Sequence, residues 1–227
     1  MIQDRCLIIF VRYPEAGKVK SRLGKRLPSS FVAGLYKNFV RDILHAMRSG
    51  GFKIKIYFDP PKCRQQVEKL WGEEYFYEEQ VGAELGAKME NAFWREFAAG
   101  CRFVTLIGSD FPDLPLSIIE KSFAALDGGA DCAIGPAQDG GYYLIAFRKD
   151  SFRPEIFRGL EWGTSSVFEK TMKILRTQKC FPAILPAWRD IDTREDLDNL
   201  FLHNAESAFA SSHTMKYLRK NNFGKNY

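Results

Sequence analysis

Residues 102–115 read RFVTLIGSDFPDLP. The run from Phe103 to Ile107 is predominantly apolar and predicts a short buried strand. Gly-Ser-Asp ends it, and Pro112 and Pro115 then break the backbone. Asp110 is thereby set just past the C-terminal end of the strand. Open α/β sheets bind their ligands at that edge. A carboxylate there is a candidate cation ligand or substrate clamp.

The rest of the chain alternates in the same way. CLIIFV (6–11), KIKIYF (53–58), EYFYEE (74–79), a stretch near 131–135 and another at 142–147 read as strands, and AILPAW reads as a weaker one. Between them lie helical patterns. One runs from Ser29 to Arg48, with Phe31, Leu35, Phe39, Ile43 and Met47 on one face and Ser29 or Ser30 as its cap. Others cover 62–71, the face Leu85, Met89, Phe93 and Phe97, a segment near 116–126, and 164–177 capped by Thr164 or Ser165. Thr193 followed by Asp196 makes a capping-box start for a last helix. Strand–helix alternation without an internal repeat or linker argues for one α/β domain over 1–203 with a mainly parallel sheet. Residues 204–227 form a C-terminal basic extension.

Charge narrows the function classes. The net charge is +5 with a pI of about 8.9. Arg12, Lys18, Lys20, Arg22, Lys25 and Arg26 crowd one Gly/Pro-punctuated loop. Lys216, Arg219, Lys220 and Lys225 gather in the tail, which reads as a solvated terminus. No nucleic-acid module is present, so the loop points to a small anionic substrate. The longest apolar run, Cys6 to Val11, is far too short for a membrane span. It is also too short for a signal-peptide core. Five scattered cysteines without a C-x-x-C pair argue against a disulfide framework or a zinc site, and for a reducing cytoplasm.

Five blocks carry candidate chemistry. In RYPEAGKVKSRL (12–23), Gly17 permits close backbone approach. Lys18, Lys20 and Arg22 alternate, so an extended loop would aim all three at one polyphosphate. Neither a P-loop nor a dinucleotide fingerprint is present. In GSDFPDLP, Asp110 suits a hard cation such as Mg²⁺ or Mn²⁺. Asp113 or Ser109 is instead the expected cap of the following helix. GPAQDGGYYLIAF (135–147) predicts a hairpin, with Asp139, Gly140, Gly141 and Tyr142 richer than a turn needs. EWGTSSVFEKT places Trp162 and Thr164 before a helix whose free N–H groups form an anion site. In DIDTREDL (190–197), Asp190 and Asp192 alternate around Ile191. Either one completes a cation site with Asp110, or Asp192 or Thr193 caps the helix.

Taken together, FVRYPEAGKVKSRL, QVGAELGAKM, GSDFPDLP, GPAQDGGYYLI and DIDTREDL resemble the bacterial DUF2064 family of the GT-A glycosyltransferase superfamily. The match spans about residues 6–200. Molybdenum-cofactor and phospholactate nucleotidyltransferases are related to that family, and KVKSRL resembles the KTRL element of the latter. The resemblance implies a nucleotide-diphospho-sugar transferase fold: a Rossmann-like three-layer α/β sandwich around a mixed, mostly parallel sheet. It implies that Asp110 and Asp192 bind a divalent cation. It places Arg12, Gly17, Lys18, Lys20, Arg22, Gln80, Gly82, Ser109 and Asp110 on the nucleotide, with Lys20, Arg22 and Asp110 catalytic. Asp139 to Tyr142, with Trp162 and Thr164, would line the acceptor side. The implied partners are a nucleoside triphosphate or a nucleotide sugar and a small acceptor. Two patterns are missing: the L-A-A-G-x-G-x-R opening of strict nucleotidyltransferases, and the D-x-D of sugar transferases, where Ser109-Asp110-Phe111 stands. A nucleotide-binding module that keeps the fold without catalysis is the alternative, and Phe111 is given no catalytic role.

Overall fold

The computed structural model describes residues 4–224. In chain order the strands are β1 (Arg5–Arg12), β2 (Lys53–Asp59), β3 (Phe76–Glu79), β4 (Phe103–Ile107), β5 (Cys132–Pro136), β6 (Tyr142–Arg148) and β7 (Pro182–Ile184). They form one sheet in the order β3-β2-β1-β4-β6-β5-β7. β6 runs antiparallel to β4 and β5, and the other neighbouring pairs are parallel. From β1 the chain moves outward through β2 and β3, then returns to lay β4 on β1's other side. The C-terminal ends of β1 and β4 therefore flank a topological switch point, where an open sheet leaves a crevice.

Among the described residues, eight α-helices surround the sheet: α1 (Ser21–Gly24), α2 (Ser29–Met47), α3 (Arg64–Trp71), α4 (Leu85–Ala98), α5 (Leu116–Asp127), α6 (Val167–Thr177), α7 (Arg194–His203) and α8 (His213–Lys220). Strand β1 shows why there are two covered faces. Leu7, Ile9 and Val11 enter one core with residues of α2, α5, α7 and α8. Cys6, Ile8 and Phe10 enter a second with residues of α4 and α6. A strand's period of two sends alternate side chains to opposite faces. A strand apolar at both phases must be covered twice, which gives the three-layer sandwich.

The second core holds one charge that periodicity does not announce. Glu96 of α4 is fully buried. Tyr57 Oη donates to its Oε1 at 2.6 Å, and Lys55 Nζ lies 2.9 Å from Oε2. Both partners stand on one face of β2, so they pin α4 to the sheet. Pairing and hydrogen bonding make the buried carboxylate tolerable.

Several expected caps are corrected. Helix α2 begins after Pro28 with no side-chain cap: Pro28 O accepts from Val32 N at 3.0 Å, and Ser29 and Ser30 already lie inside the first turn. Asp113 does not cap α5, whose N-cap is Pro115. The two prolines delay the helix, and Asp113 Oδ1 instead accepts from Trp188 Nε1 at 2.9 Å. Ser109 is buried against α2 and caps nothing. Helix α6 starts at Val167, after Ser166, without a side-chain cap. Thr164 Oγ1 turns back to Glu161 O at 2.8 Å. The Thr193–Asp196 capping box is present at α7.

The solvated C-terminal reading is also corrected. Met215 and Leu218 of α8 are fully buried, and Asp42 of α2 accepts from the His213 and Thr214 amides, each at 2.7 Å. A carboxylate at a helix N-terminus satisfies amides that have no partner within the helix. Lys216, Arg219 and Lys220 remain exposed. Lys225 lies outside the described residues.

Candidate active site

A cleft of about 690 Å³ opens at the switch point, between the ends of β1 and β4, the β5–β6 hairpin and the segment before α7. Its centre is an ion triad. Lys20 Nζ lies 2.5 Å from Asp110 Oδ1 and 2.7 Å from Asp192 Oδ1, and its side chain is 4% exposed. Burial disfavours the lysine's charge, but Asp110 and Asp192 outweigh that and hold its pKa above the ordinary lysine value. Arg22 Nη1 stands 3.7 Å from Asp192 Oδ2.

The backbone explains the convergence. Ile191 N donates to Asp110 O at 3.0 Å, which lays the 190–192 segment across the end of β4. Because Thr193 and Asp196 close the cap of α7 between themselves, Asp192 is left to face the cleft. Lys20 adopts a left-handed backbone (φ 49°) just before α1, which turns its side chain inward. The alternation argument for three convergent cations fails here, because residues 15–24 are turn and helix instead of extended chain. Lys18 pairs with Glu15 at 2.9 Å, and neither Gly17 nor Lys18 lines the cleft.

The β1 side of the cleft is carried by residues with structural partners. Arg12 lines it, and its amide donates to Tyr36 Oη at 3.0 Å. Tyr36 Oη lies 2.6 Å from Ser109 Oγ. Tyr36 thus ties the ends of β1 and β4 from α2. It was missed in the sequence because it reads as one more apolar-face residue of that helix. Gln80 also lines the cleft, but its Nε2 donates to Val11 O (2.9 Å) and Tyr57 O (2.8 Å). Its amide nitrogen therefore braces the strand ends. Gly82 (φ +143°) sits outside the lining, where a Cβ would come 2.7 Å from Lys88 N. Lys88, missed by pattern reading, lines the cleft from α4, 3.4 Å from Asp59.

The opposite side is acidic and aromatic. The predicted hairpin forms, with Gly141 N donating to Asp139 Oδ1 at 2.9 Å. Gly140 (φ +88°) packs so closely on Ser165 that any side chain would collide with its backbone. Its carbonyl accepts from Phe168 N at 2.9 Å. That amide belongs to the first turn of α6, so the expected free anion site is partly filled. Gln138 N donates to Trp188 O at 3.1 Å, which brings Asp190 beside the hairpin. Burial first, then the charges of Asp139 and Asp192, push Asp190 up to about 6. Tyr142 and Trp162 meet edge to face, 6.2 Å between centroids, and both line the cleft with Thr164.

The donor chemistry at the centre suits a divalent cation. Two carboxylates from separate segments already share one positive charge, and hard oxygen ligands are what Mg²⁺ and Mn²⁺ prefer. A dication bonded to both would take the place that the Lys20 ammonium fills. A second cluster of ligand-type atoms, on Cys6, Glu96 and Cys101, lies at the other end of β1. Glu96 is already engaged there by Tyr57 and Lys55.

Sheet order, switch-point cleft and paired carboxylates define a nucleotide-diphospho-sugar transferase fold of the GT-A type. The chain belongs to the DUF2064 family ("Uncharacterized protein conserved in bacteria"), whose signature matches residues 43–164. A protein of Desulfovibrio desulfuricans G20, provisionally assigned as a nucleotide-diphospho-sugar transferase, is 38% identical. It has a TM-score of 0.93, with 97% of this chain and 96% of that chain covered. CMP:2-keto-3-deoxy-manno-octonic acid synthetase, solved with CTP, is 12% identical with a TM-score of 0.56 over 89% of this chain and 99% of its own. Rv0371c of Mycobacterium tuberculosis H37Rv, solved with manganese, is 13% identical with a TM-score of 0.52 over 88% and 98%. These last two likenesses show the fold alone. No curated protein matches the sequence.

Proposed function

We propose that this chain is a divalent-cation-dependent transferase that acts on an activated nucleotide and a small acceptor. The observation that carries the reading is the Asp110–Lys20–Asp192 triad at the switch point. Asp110 and Asp192 are the residues to hold Mg²⁺ or Mn²⁺, which would offset charge on the nucleotide phosphates. Lys20, released from the carboxylates, passes to phosphate oxygens with Arg12 and Arg22. These cations counter the charge that builds on the leaving phosphate. Gln80, which lines the cleft, shapes the wall beside the base.

Two reactions share this physics. In nucleotidyl transfer, an acceptor oxygen bonds to the α-phosphorus, the bond to pyrophosphate breaks, and the acceptor proton leaves to solvent. In glycosyl transfer, the acceptor oxygen bonds to the sugar's anomeric carbon, the bond from that carbon to the phosphate oxygen breaks, a nucleoside diphosphate departs, and the acceptor proton leaves to solvent. The likeness of KVKSRL to the phospholactate guanylyltransferase element favours the first, and the D. desulfuricans relative favours the second. Incubation with Mn²⁺, a nucleotide or sugar-nucleotide panel and acceptor mixtures tests both. Pyrophosphate release supports nucleotidyl transfer, and nucleoside diphosphate release supports glycosyl transfer. The position of Lys20 favours one competing reading. If nucleotide binds with no effect of Mn²⁺ by calorimetry, Lys20 stays in place and the chain is a cation-independent binding module.

A further inference from the structure

The cleft is divided by charge. Its cations, Arg12, Lys20, Arg22 and Lys88, come from the end of β1, the loop after it and α4, and Glu84, just before α4, lines the same half. The other half is built by 137–143, 162–167 and 188–192. No lysine or arginine from those segments lines it, while Asp139 and Asp190 do. Arg189, next in sequence to Asp190, is turned to Gln138, with Nε donating to its Oε1 at 2.8 Å. Nucleotide phosphates belong on the cationic half, so the acidic half faces the second reactant.

That half also has an aromatic wall, formed by Tyr142 and Trp162. Tyr142 Oη is buried and has no partner. The residue lines the cleft, but its hydroxyl is enclosed by protein and closed to a ligand. Trp162 packs edge-on beside it. Its Nε1 is a second buried donor without a partner, but it lies against Gly86 of α4. Aromatic faces take up apolar C–H surface, and carboxylates accept from hydroxyl or ammonium groups.

We propose that the acceptor is a non-anionic alcohol. It offers hydroxyl groups to Asp139 and Asp190, lays an apolar face on the Tyr142–Trp162 wall, and carries no phosphate or carboxylate. An anionic acceptor would meet two carboxylates with no cation on its side of the cleft. This rests on the nucleotide-transferase reading above.

Matched pairs separate charge from shape: glycerol and glycerol 3-phosphate, glucose and glucose 1-phosphate, choline and phosphocholine. Each is titrated by ligand-observed NMR into the whole protein loaded with Mn²⁺ and a nucleotide. Nucleotide affinity is measured first on the same sample. In at least one pair the unphosphorylated member is expected to bind about tenfold tighter or more. The Asp139→Asn, Asp190→Asn double variant should narrow the gap within the pair. Phosphorylated members binding equally or better in every pair, or no member binding to nucleotide-loaded protein, overturns the proposal. Failure of the wild-type protein to bind any nucleotide overturns the transferase reading and this inference with it.

Discussion

At the scale of single residues, the site turns on one lysine. Lys20 is held by two carboxylates at 2.5 and 2.7 Å, in the place a bridging dication would need. On the proposed reading, metal alone would have to displace an internal cation, and nucleotide phosphate would lower that cost by giving the lysine a new partner. Lys20→Met is expected to tighten Mn²⁺ binding without nucleotide by about tenfold or more, equivalent to about 1.4 kcal/mol, and to weaken nucleotide binding. Calorimetry checks both, and weaker Mn²⁺ binding in the variant contradicts the displacement argument. Asp110→Asn should abolish detectable Mn²⁺ binding. Asp113 offers a pH test. Burial raises its pKa above the ordinary aspartate value of about 3.9, even though Trp188 hydrogen-bonds it. The folded state thus holds this proton more tightly than the unfolded chain. The stability so contributed is complete below pH about 4 and is lost as pH rises through the folded value. Asp113→Asn, which keeps an acceptor for Trp188, should raise the melting temperature at pH 7 more than at pH 4.

At the scale of elements, local chemistry was legible wherever it repeated with a period. The helical faces of α2 and α4 and the β5–β6 hairpin announce themselves, because burial of one face imposes 3.6- or 2-residue spacing. The caps were legible only once. Thr193 and Asp196 satisfy each other locally, whereas Ser29, Asp113 and Thr164 were overruled by neighbouring prolines and turn contacts. The surviving cap also orients the site, since it ends the segment that carries Asp192. Thr193→Ala is expected to cost about 1 kcal/mol, the usual worth of an N-cap. For a chain of this size that lowers the melting temperature by about 2–4 °C. It should also loosen Mn²⁺–nucleotide binding. A melting shift with unchanged binding would show that the cap stabilises α7 without positioning Asp192.

At the scale of the whole molecule, α8 is joined to α2 by Asp42, a polar residue on a helix face that pattern reading leaves unexplained. Hydrogen bonds to a charged group are worth about 1.5–3 kcal/mol each. Asp42→Ala should therefore lower the urea midpoint substantially, with an unchanged m-value if the C-terminal segment unfolds together with the domain. A separate early transition would mean that α8 undocks by itself. The sequence alone determined the order of strands and helices from β1 to α7, apart from the short α1, together with the carboxylate beyond β4, the basic loop after β1 and the capping box of α7. Each of these is written in neighbouring residues, through periodicity, prolines or short polar motifs. Only the tertiary structure decided that Lys20, and not Lys18, meets Asp110 and Asp192, that Tyr36 and Gln80 brace the strand ends, and that Glu96 and Asp42 are buried with partners. Those contacts depend on pairing between distant segments, as in the Ile191–Asp110 backbone bond, and such pairing leaves no periodic trace in either segment.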